Sequence, residues 1–105
     1  QAVPLQDILG LDFANSHGIF HRDLKPINLV VDNVRKELRM IDWGIADFYF
    51  PDKTYSPYCG TKNYKSPEQL CRDTAYHYST DIWSVGCIFA TMMFKIKTFF
   101  RGVDD

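Results

Sequence analysis

The sequence has no long hydrophobic run and no excess of charge of either sign. Its longest uncharged apolar stretch, residues 85–94, is about half of the roughly twenty residues that cross a bilayer. Its 12 basic and 13 acidic side chains give a formal net charge of −1, which argues against a surface for nucleic acids or acidic membranes. The sequence therefore predicts no membrane helix and no nucleic-acid partner.

The chain also has few cysteines, the residues whose disulfides stabilise many secreted proteins. Its three cysteines, Cys59, Cys71 and Cys87, are widely spaced and form no C-x-x-C pattern. This predicts free thiols in a reducing compartment, the cytoplasm or the nucleus, rather than disulfides or a zinc site. The chain starts at Gln1 with no signal peptide and no initiating methionine, so we expect it to begin inside a longer protein. Its 105 residues suffice for one globular unit at most.

Residues 21–28, H-R-D-L-K-P-I-N, bring chemically active side chains into one short span. Asp23 and Asn28 lie five residues apart across Pro26. Because proline has no amide hydrogen and disfavours helix at the preceding residue, the span must be a loop. A second carboxylate, Asp42, lies in a turn before Gly44.

The sequence between these groups predicts a hairpin. Apolar runs at residues 27–31 and 38–41 flank a polar stretch, which indicates two short strands and a tight connection. Such a hairpin would bring Asn28 and Asp42 towards each other, as oxygen donors of the kind that Mg²⁺ uses beside phosphates. Asp23 would remain free as a base. Alone, such residues usually stabilise turns, but their combined spacing favours a catalytic role.

Several motifs, in order, resemble those of eukaryotic-type protein kinases. Residues 21–28 and 42–44 are similar to H-R-D-L-x-x-x-N and D-F-G, with Trp43 in the phenylalanine position. Residues 60–68 resemble the end of the activation segment, with Ser66 in place of the alanine of A-P-E. Residues 81–86 resemble D-x-W-S-x-G, which opens the large central helix. Residues 99–102 resemble the apolar turn after that helix, with Thr98 where proline is usual.

Within this superfamily, residues 41–49, I-D-W-G-I-A-D-F-Y, are similar to the casein kinase 2 catalytic (alpha) subunit. The resemblance implies an α+β, mainly helical fold: part of the large (C-terminal) lobe, with short β-hairpins carrying the catalytic loop and the metal turn. The small lobe would be absent, because the chain has no G-x-G-x-x-G loop and no V-A-I-K lysine. The implied divisions are a helix (1–18), the catalytic loop and hairpin (19–41), the activation segment (42–68) and the central helix region (69–105).

The resemblance implies an ATP- and Mg²⁺-dependent serine/threonine kinase, although we expect the chain by itself to be inactive. Asp23 would be the catalytic base and Lys25 would offset charge on the transferred phosphate. Asn28 and Asp42 would bind the metal and, through it, the nucleotide. Thr61 would form hydrogen bonds near Asp23 and Lys25.

The resemblance also implies acidic protein substrates and a regulatory subunit as a partner. Lys62 and Lys65 lie where this branch places basic residues against acidic side chains that follow the target serine. Tyr58 stands where the branch commonly has arginine, so we expect an acidic preference that is weaker or altered. The alternative is that both lysines belong to an ordinary solvated surface.

Five residues are expected to support the site. His21 is better explained as a packed side chain than as a base, and by resemblance it stacks on Trp43. Arg22 either grips a phosphorylated residue, as in many kinases, or makes a structural contact, which we favour for this branch. Asp81 would accept hydrogen bonds from the backbone amides of residues 21 and 22. Glu68 would pair with an arginine beyond the end of the chain.

Helical periodicity predicts two helices, at residues 4–16 and residues 79–94. Gly18 is a suitable stop for the first. The second is apolar on most sides, with Met92 and Met93 expected in the core, so the isolated chain would be unstable or dependent on a partner. Aromatic residues are expected to anchor the activation segment: Tyr49, Phe50, Tyr55, Tyr58 and Tyr64.

Two other functions are compatible with part of the pattern. A small-molecule phosphotransferase of the aminoglycoside or choline kinase type shares H-x-D-x-x-x-x-N and an I-D-W or I-D-F turn. Lys25 and the blocks at residues 60–68 and 81–86 argue against it, because in kinases they serve protein substrates. A non-catalytic, truncated kinase-like binding module is the second alternative. Intact Asp23, Lys25, Asn28 and Asp42 argue against it, whereas the missing lobe favours it.

Overall fold

The computed structural model describes residues 2–94, with side chains from residue 8 onward. The predicted turn at residues 98–102 therefore lies outside the described residues. The elements in order are α1 (Ala2–Ser16), β1 (Ile19–Phe20), β2 (Leu29–Asp32), β3 (Glu37–Met40), β4 (Asp47–Phe48), α2 (Pro67–Leu70) and α3 (Ser79–Phe94). Short 3₁₀ turns lie at Pro26–Asn28 and Lys62–Tyr64. This mixture of helices and small antiparallel sheets agrees with the predicted α+β class.

Helix α1 confirms the predicted helix and begins two residues earlier. It ends before Gly18, whose φ of +82° is a left-handed conformation that glycine adopts without strain. Gly10 faces the hairpin, because a Cβ there would lie 2.9 Å from the Met40 side chain. The glycine therefore costs helix stability but allows the helix and the hairpin to approach closely.

Strands β2 and β3 form the predicted antiparallel hairpin, with Leu29 opposite Met40. Asp32 closes its turn by accepting hydrogen bonds from the amides of Val34 and Arg35. The first strand begins later than predicted, because Ile27 belongs to the 3₁₀ turn that Pro26 opens. The second sheet is not a hairpin: β1 pairs with the distant β4.

The core lies between α1, the hairpin and the inner face of α3. One cluster comprises Leu11, Leu24, Tyr64, Val85, Cys87 and Ile88, and a second comprises Phe20, Tyr55 and Tyr76. Because burial keeps the Cys87 thiol from ionising, its pKa is raised. The three described cysteines are free thiols.

The outer face of α3 is exposed, and the prediction that Met92 and Met93 are core residues was wrong. Their side chains are 54% and 76% exposed, because the described residues cover only one side of the helix. Beside this face lies a largely apolar cavity of about 460 Å³, edged by Glu68. Among the described residues, no helix combines the length and the apolar character that crossing a bilayer requires.

The predicted aromatic anchors of residues 42–68 divide into two groups. Tyr55 and Tyr64 are buried and Tyr49 packs against the second cluster, so these three anchor the segment. Phe50 and Tyr58 are 56% and 69% exposed, and for them the prediction was wrong.

The start of α2 is joined to α3 by a buried polar group. Gln69 Oε1 accepts a hydrogen bond from the Ser66 amide, as in a capping box, at 3.2 Å. The same oxygen accepts from the Thr80 hydroxyl at 2.7 Å and lies 3.4 Å from the Ser66 hydroxyl. All three residues are buried. The group fixes the end of the 42–68 segment to the first turn of the long helix.

Candidate active site

The first turn of α3 holds the loop of residues 21–28. Asp81 is fully buried, and its carboxylate accepts hydrogen bonds from the amides of His21 at 2.7 Å and Arg22 at 2.9 Å. Burial raises the pKa of Asp81, although these amide bonds act in the opposite direction. Asn15, which the sequence did not single out, donates to the same carboxylate at 3.4 Å. The contact that the resemblance implied for Asp81 is therefore present.

His21 uses both ring nitrogens within the protein. Nδ1 accepts from the Asp23 amide at 3.1 Å, so Nε2 carries the hydrogen and donates to the Ile41 carbonyl at 2.9 Å. Its ring centroid lies 4.5 Å from that of Trp43, whose Nε1 donates to the Met40 carbonyl. With no nitrogen left for proton transfer, His21 links the loop to the turn at residues 42–44.

Arg22 is enclosed rather than held out for a phosphate. Its Nε donates to the Ile45 carbonyl at 2.7 Å, Nη1 donates to the Tyr76 hydroxyl at 3.3 Å, and Nη2 lies 4.0 Å from Asp47. The guanidinium also lies over the Phe20 ring, 5.4 Å from its centroid. With its side chain only 9% exposed, Arg22 makes the structural contact that we favoured.

Asp23, Thr61 and Lys25 form one hydrogen-bonded group. The Thr61 hydroxyl donates to Asp23 Oδ1 at 2.8 Å and accepts from Lys25 Nζ at 2.9 Å. Lys25 Nζ also lies 3.8 Å from Asp23 Oδ2. Residues more than thirty positions apart thus converge on the Asp23 carboxylate.

Gly60 allows Thr61 to reach this group. Its φ of +93° lies in the left-handed region, and a Cβ there would lie 2.7 Å from the Arg22 carbonyl oxygen. Both the backbone conformation and the close approach therefore require glycine. The glycine brings the 42–68 segment against the 21–28 loop immediately before Thr61.

Asn28 and Asp42 are neighbours at the open end of the hairpin. The Ile41 amide donates to the Asn28 carbonyl at 2.8 Å, which holds Asp42 close to Asn28. Asn28 Nδ2 donates to the Asp23 carbonyl at 2.8 Å, which leaves its Oδ1 as an acceptor. A carboxylate and a carboxamide oxygen fit Mg²⁺, which binds few protein oxygens and keeps phosphate or water as other ligands. Among the described residues, no group of three or more His, Cys, Asp or Glu side chains is arranged to hold a metal ion.

Two apolar residues beside this pair, Val30 and Ile41, were not recognised from the sequence. Leu29 and Met40 pack against the core. Because side chains alternate along a strand, Val30 and Ile41 lie on the opposite face, and both are more than 40% exposed. The alternation could have identified them as an apolar surface next to Asn28 and Asp42.

The residues predicted to bind substrate or to support the segment lie beyond Thr61. Lys62 is in a 3₁₀ turn and partly exposed. Lys65 Nζ donates to the Pro57 carbonyl at 2.9 Å. The Glu68 carboxylate is 3.4 Å from the Ser79 hydroxyl, and its predicted arginine partner lies outside the described residues.

The comparisons with known proteins agree with this geometry. The family model for the protein kinase domain matches residues 2–105. The chain belongs to the protein kinase family. It is also similar to the "Probable casein kinase II subunit alpha homolog" of Encephalitozoon cuniculi (strain GB-M1), with 47% identity over 97 residues. That match covers 92% of this kinase chain and 30% of the relative's length.

Proposed function

We propose that this chain carries part of the active site of a serine/threonine protein kinase of the casein kinase 2 alpha type. In this proposal the terminal phosphate of ATP is transferred to serine or threonine in acidic proteins. One observation carries the proposal: Asp23, Lys25 and Thr61 form a hydrogen-bonded group next to Asn28 and Asp42. Similarity to a casein kinase II alpha homolog over most of the chain supports the branch.

In the proposed reaction the Asp23 carboxylate orients the acceptor hydroxyl and takes its proton. The Thr61 hydroxyl fixes one carboxylate oxygen at 2.8 Å, which leaves the other to face the substrate. Lys25, tied to Thr61, offsets negative charge that develops on the phosphate oxygens. When bound at Asn28 and Asp42, Mg²⁺ would supply charge neutralisation on the nucleotide phosphates.

The nucleotide base would find its apolar surface on the hairpin. Val30 and Ile41 are exposed on the face turned away from the core, beside the proposed metal ligands. Flat apolar ligands gain free energy when such a surface is removed from water. The remaining part of an ATP site would come from outside this chain, which spans 30% of the relative's length.

The proposal includes acidic substrates, a regulatory subunit and a reducing compartment, the cytoplasm or the nucleus. The acidic preference is supported by Lys62 and Lys65, which follow Thr61 in the 42–68 segment. The word "subunit" in the relative's name supports an assembly with a regulatory partner. The free thiols support the compartment.

Phosphate transfer by the full-length gene product to a serine peptide with acidic residues tests the proposal. Asp23→Asn should lower kcat by about a hundredfold or more, because it removes the proton acceptor. Thr61→Val should lower kcat by about tenfold through loss of a hydrogen bond to a charged group, whereas Thr61→Ser should retain most activity. Transfer to aminoglycosides or choline instead would indicate a small-molecule phosphotransferase.

A second candidate is a binding module without catalytic activity. The exposed apolar face of α3 and its adjacent cavity favour this function, because such a surface suits a protein partner. Mg-ATP binding without any phosphate transfer, together with stable capture of a protein partner through α3, would support this candidate over the kinase.

A further inference from the structure

Arg72 occupies a backbone position that usually carries glycine. Helix α2 ends in a Schellman motif, in which the Arg72 amide donates to the Gln69 carbonyl at 3.0 Å and the Asp73 amide donates to the Glu68 carbonyl at 2.9 Å. Arg72 is the left-handed residue of this motif, with φ of +63°. A side chain at this position is strained, and such strain often marks a functional requirement.

The side chain of Arg72 lies on Tyr58. The guanidinium carbon is 5.5 Å from the centroid of the Tyr58 ring, within the range of a cation–π contact. Both residues are exposed, and among the side chains that the structure describes, residues 8–94, no carboxylate forms an ion pair with Arg72. Arg72 thus keeps a charge with no described carboxylate partner, and its guanidinium rests on the Tyr58 ring.

This charge lies close to the proposed substrate path. Tyr58 is three residues before Thr61, a distance of at most about 10 Å along the chain, and Thr61 contacts Asp23. Lys65 reaches the same stretch, because its Nζ donates to the carbonyl of Pro57. A serine held at Asp23 would therefore have its flanking residues within reach of two fixed cations.

We propose that Arg72, held on Tyr58, binds an acidic side chain of the protein substrate and determines specificity together with Lys65. The inference rests on the proposed kinase function. Tyr58 supplies no positive charge, although the resemblance places arginine there, and in this proposal Arg72, just after the end of α2, supplies the charge instead. Tyr58 is thus a positioning residue for Arg72.

The test uses the full-length gene product and two serine peptides that differ only in having aspartates or alanines after the serine. The readout is the ratio of kcat/KM for the acidic peptide to that for the neutral peptide. Arg72→Gly should lower this ratio about two- to fivefold, as expected for one solvent-exposed ion pair. The glycine fits the left-handed backbone, so Tm should be equal or higher.

Variants at Tyr58 test the positioning role. Tyr58→Phe retains the ring and should keep the ratio, whereas Tyr58→Ala should lower it in the same direction as Arg72→Gly. Arg35→Ala is the matched control, because it removes one exposed arginine from the β2–β3 turn and should leave the ratio unchanged.

The outcomes distinguish a failure of the proposed kinase function from a failure of the proposed role of Arg72. If the unmodified protein phosphorylates neither peptide, the proposed kinase function is wrong. If it phosphorylates both but Arg72→Gly leaves the ratio as it was, the role of Arg72 is wrong and the proposed function stands. An equal fall in kcat/KM for both peptides would likewise contradict a role in specificity, because a structural defect affects all substrates.

Discussion

Replacement of Asp81 by alanine should uncouple the 21–28 loop from α3. The change removes two hydrogen bonds to an ionised acceptor and leaves the buried amide of His21 and the part-buried amide of Arg22 without that acceptor. Each such bond contributes about 1.5 to 3 kcal/mol. Burial of the carboxylate, which raises the pKa of Asp81, offsets part of this. We therefore expect the free energy of unfolding to fall by about 2 to 4 kcal/mol.

Catalysis should fall further than stability alone explains. Arg22 has a left-handed φ of +73°, and the Asp81 carboxylate helps to hold that conformation. Once the Arg22 backbone relaxes, the neighbouring Asp23 moves with it. A displacement of about 1 Å can lower the rate about a hundredfold. The assay is kcat of the full-length gene product below its melting temperature, together with hydrogen exchange at the amides of residues 21 and 22.

Thr91→Val is the matched control for Asp81→Ala. Thr91 is also buried on α3, but among the described residues its hydroxyl donates to the Ile88 carbonyl of the same helix and not to the 21–28 loop. The control should lose some stability, with kcat and exchange at residues 21 and 22 unchanged. If the Asp81 variant behaves as the control does, the loop is not held from α3 and the reasoning fails.

Three other outcomes follow from the described contacts. Gly60→Ala should lower both Tm and kcat, since its Cβ would meet the Arg22 carbonyl oxygen at 2.7 Å; equal values would refute the close approach. The hydrogen bond from the Phe48 amide lowers the pKa of Asp47 in the folded protein. The ionised Asp47 therefore stabilises the fold at pH values above the pKa of an unfolded aspartate, and this stabilisation is lost as the pH falls through the pKa of folded Asp47. Asp47→Asn should therefore flatten acid denaturation in that range, measured by circular dichroism. Alkylation followed by mass spectrometry should modify exposed Cys71 well before buried Cys87, and the reverse order would contradict the packing of α3.

The contacts inside the motifs could be predicted because the motifs specify them. Asp81 and Thr61 make the contacts that the resemblance implied, and the β2–β3 hairpin follows from two apolar runs around a polar turn. His21 contacts Trp43 as implied, but the rings are tilted by 60° rather than stacked. Each of these contacts could be predicted because it depends on a particular residue type at a spacing that is typical of few other structures.

Other features have weaker sequence signals. The pairing of β1 with β4 involves two residues on each strand, too few for a periodic pattern. Periodicity shows that α3 is apolar but not which neighbours cover it, so the exposure of Met92 and Met93 was missed. Arg72 was missed because glycine, the usual signal of a left-handed helix end, is absent.

The shared acceptor at Gln69 makes its neighbours interdependent during evolution. Gln69 Oε1 accepts from both Ser66 and Thr80. Substitution of Gln69 by an aliphatic residue would therefore leave the Ser66 amide and the hydroxyls of Ser66 and Thr80 without this acceptor. Homologues should therefore differ at positions 66, 69 and 80 together. Variants in which these three positions are substituted one at a time should fold poorly.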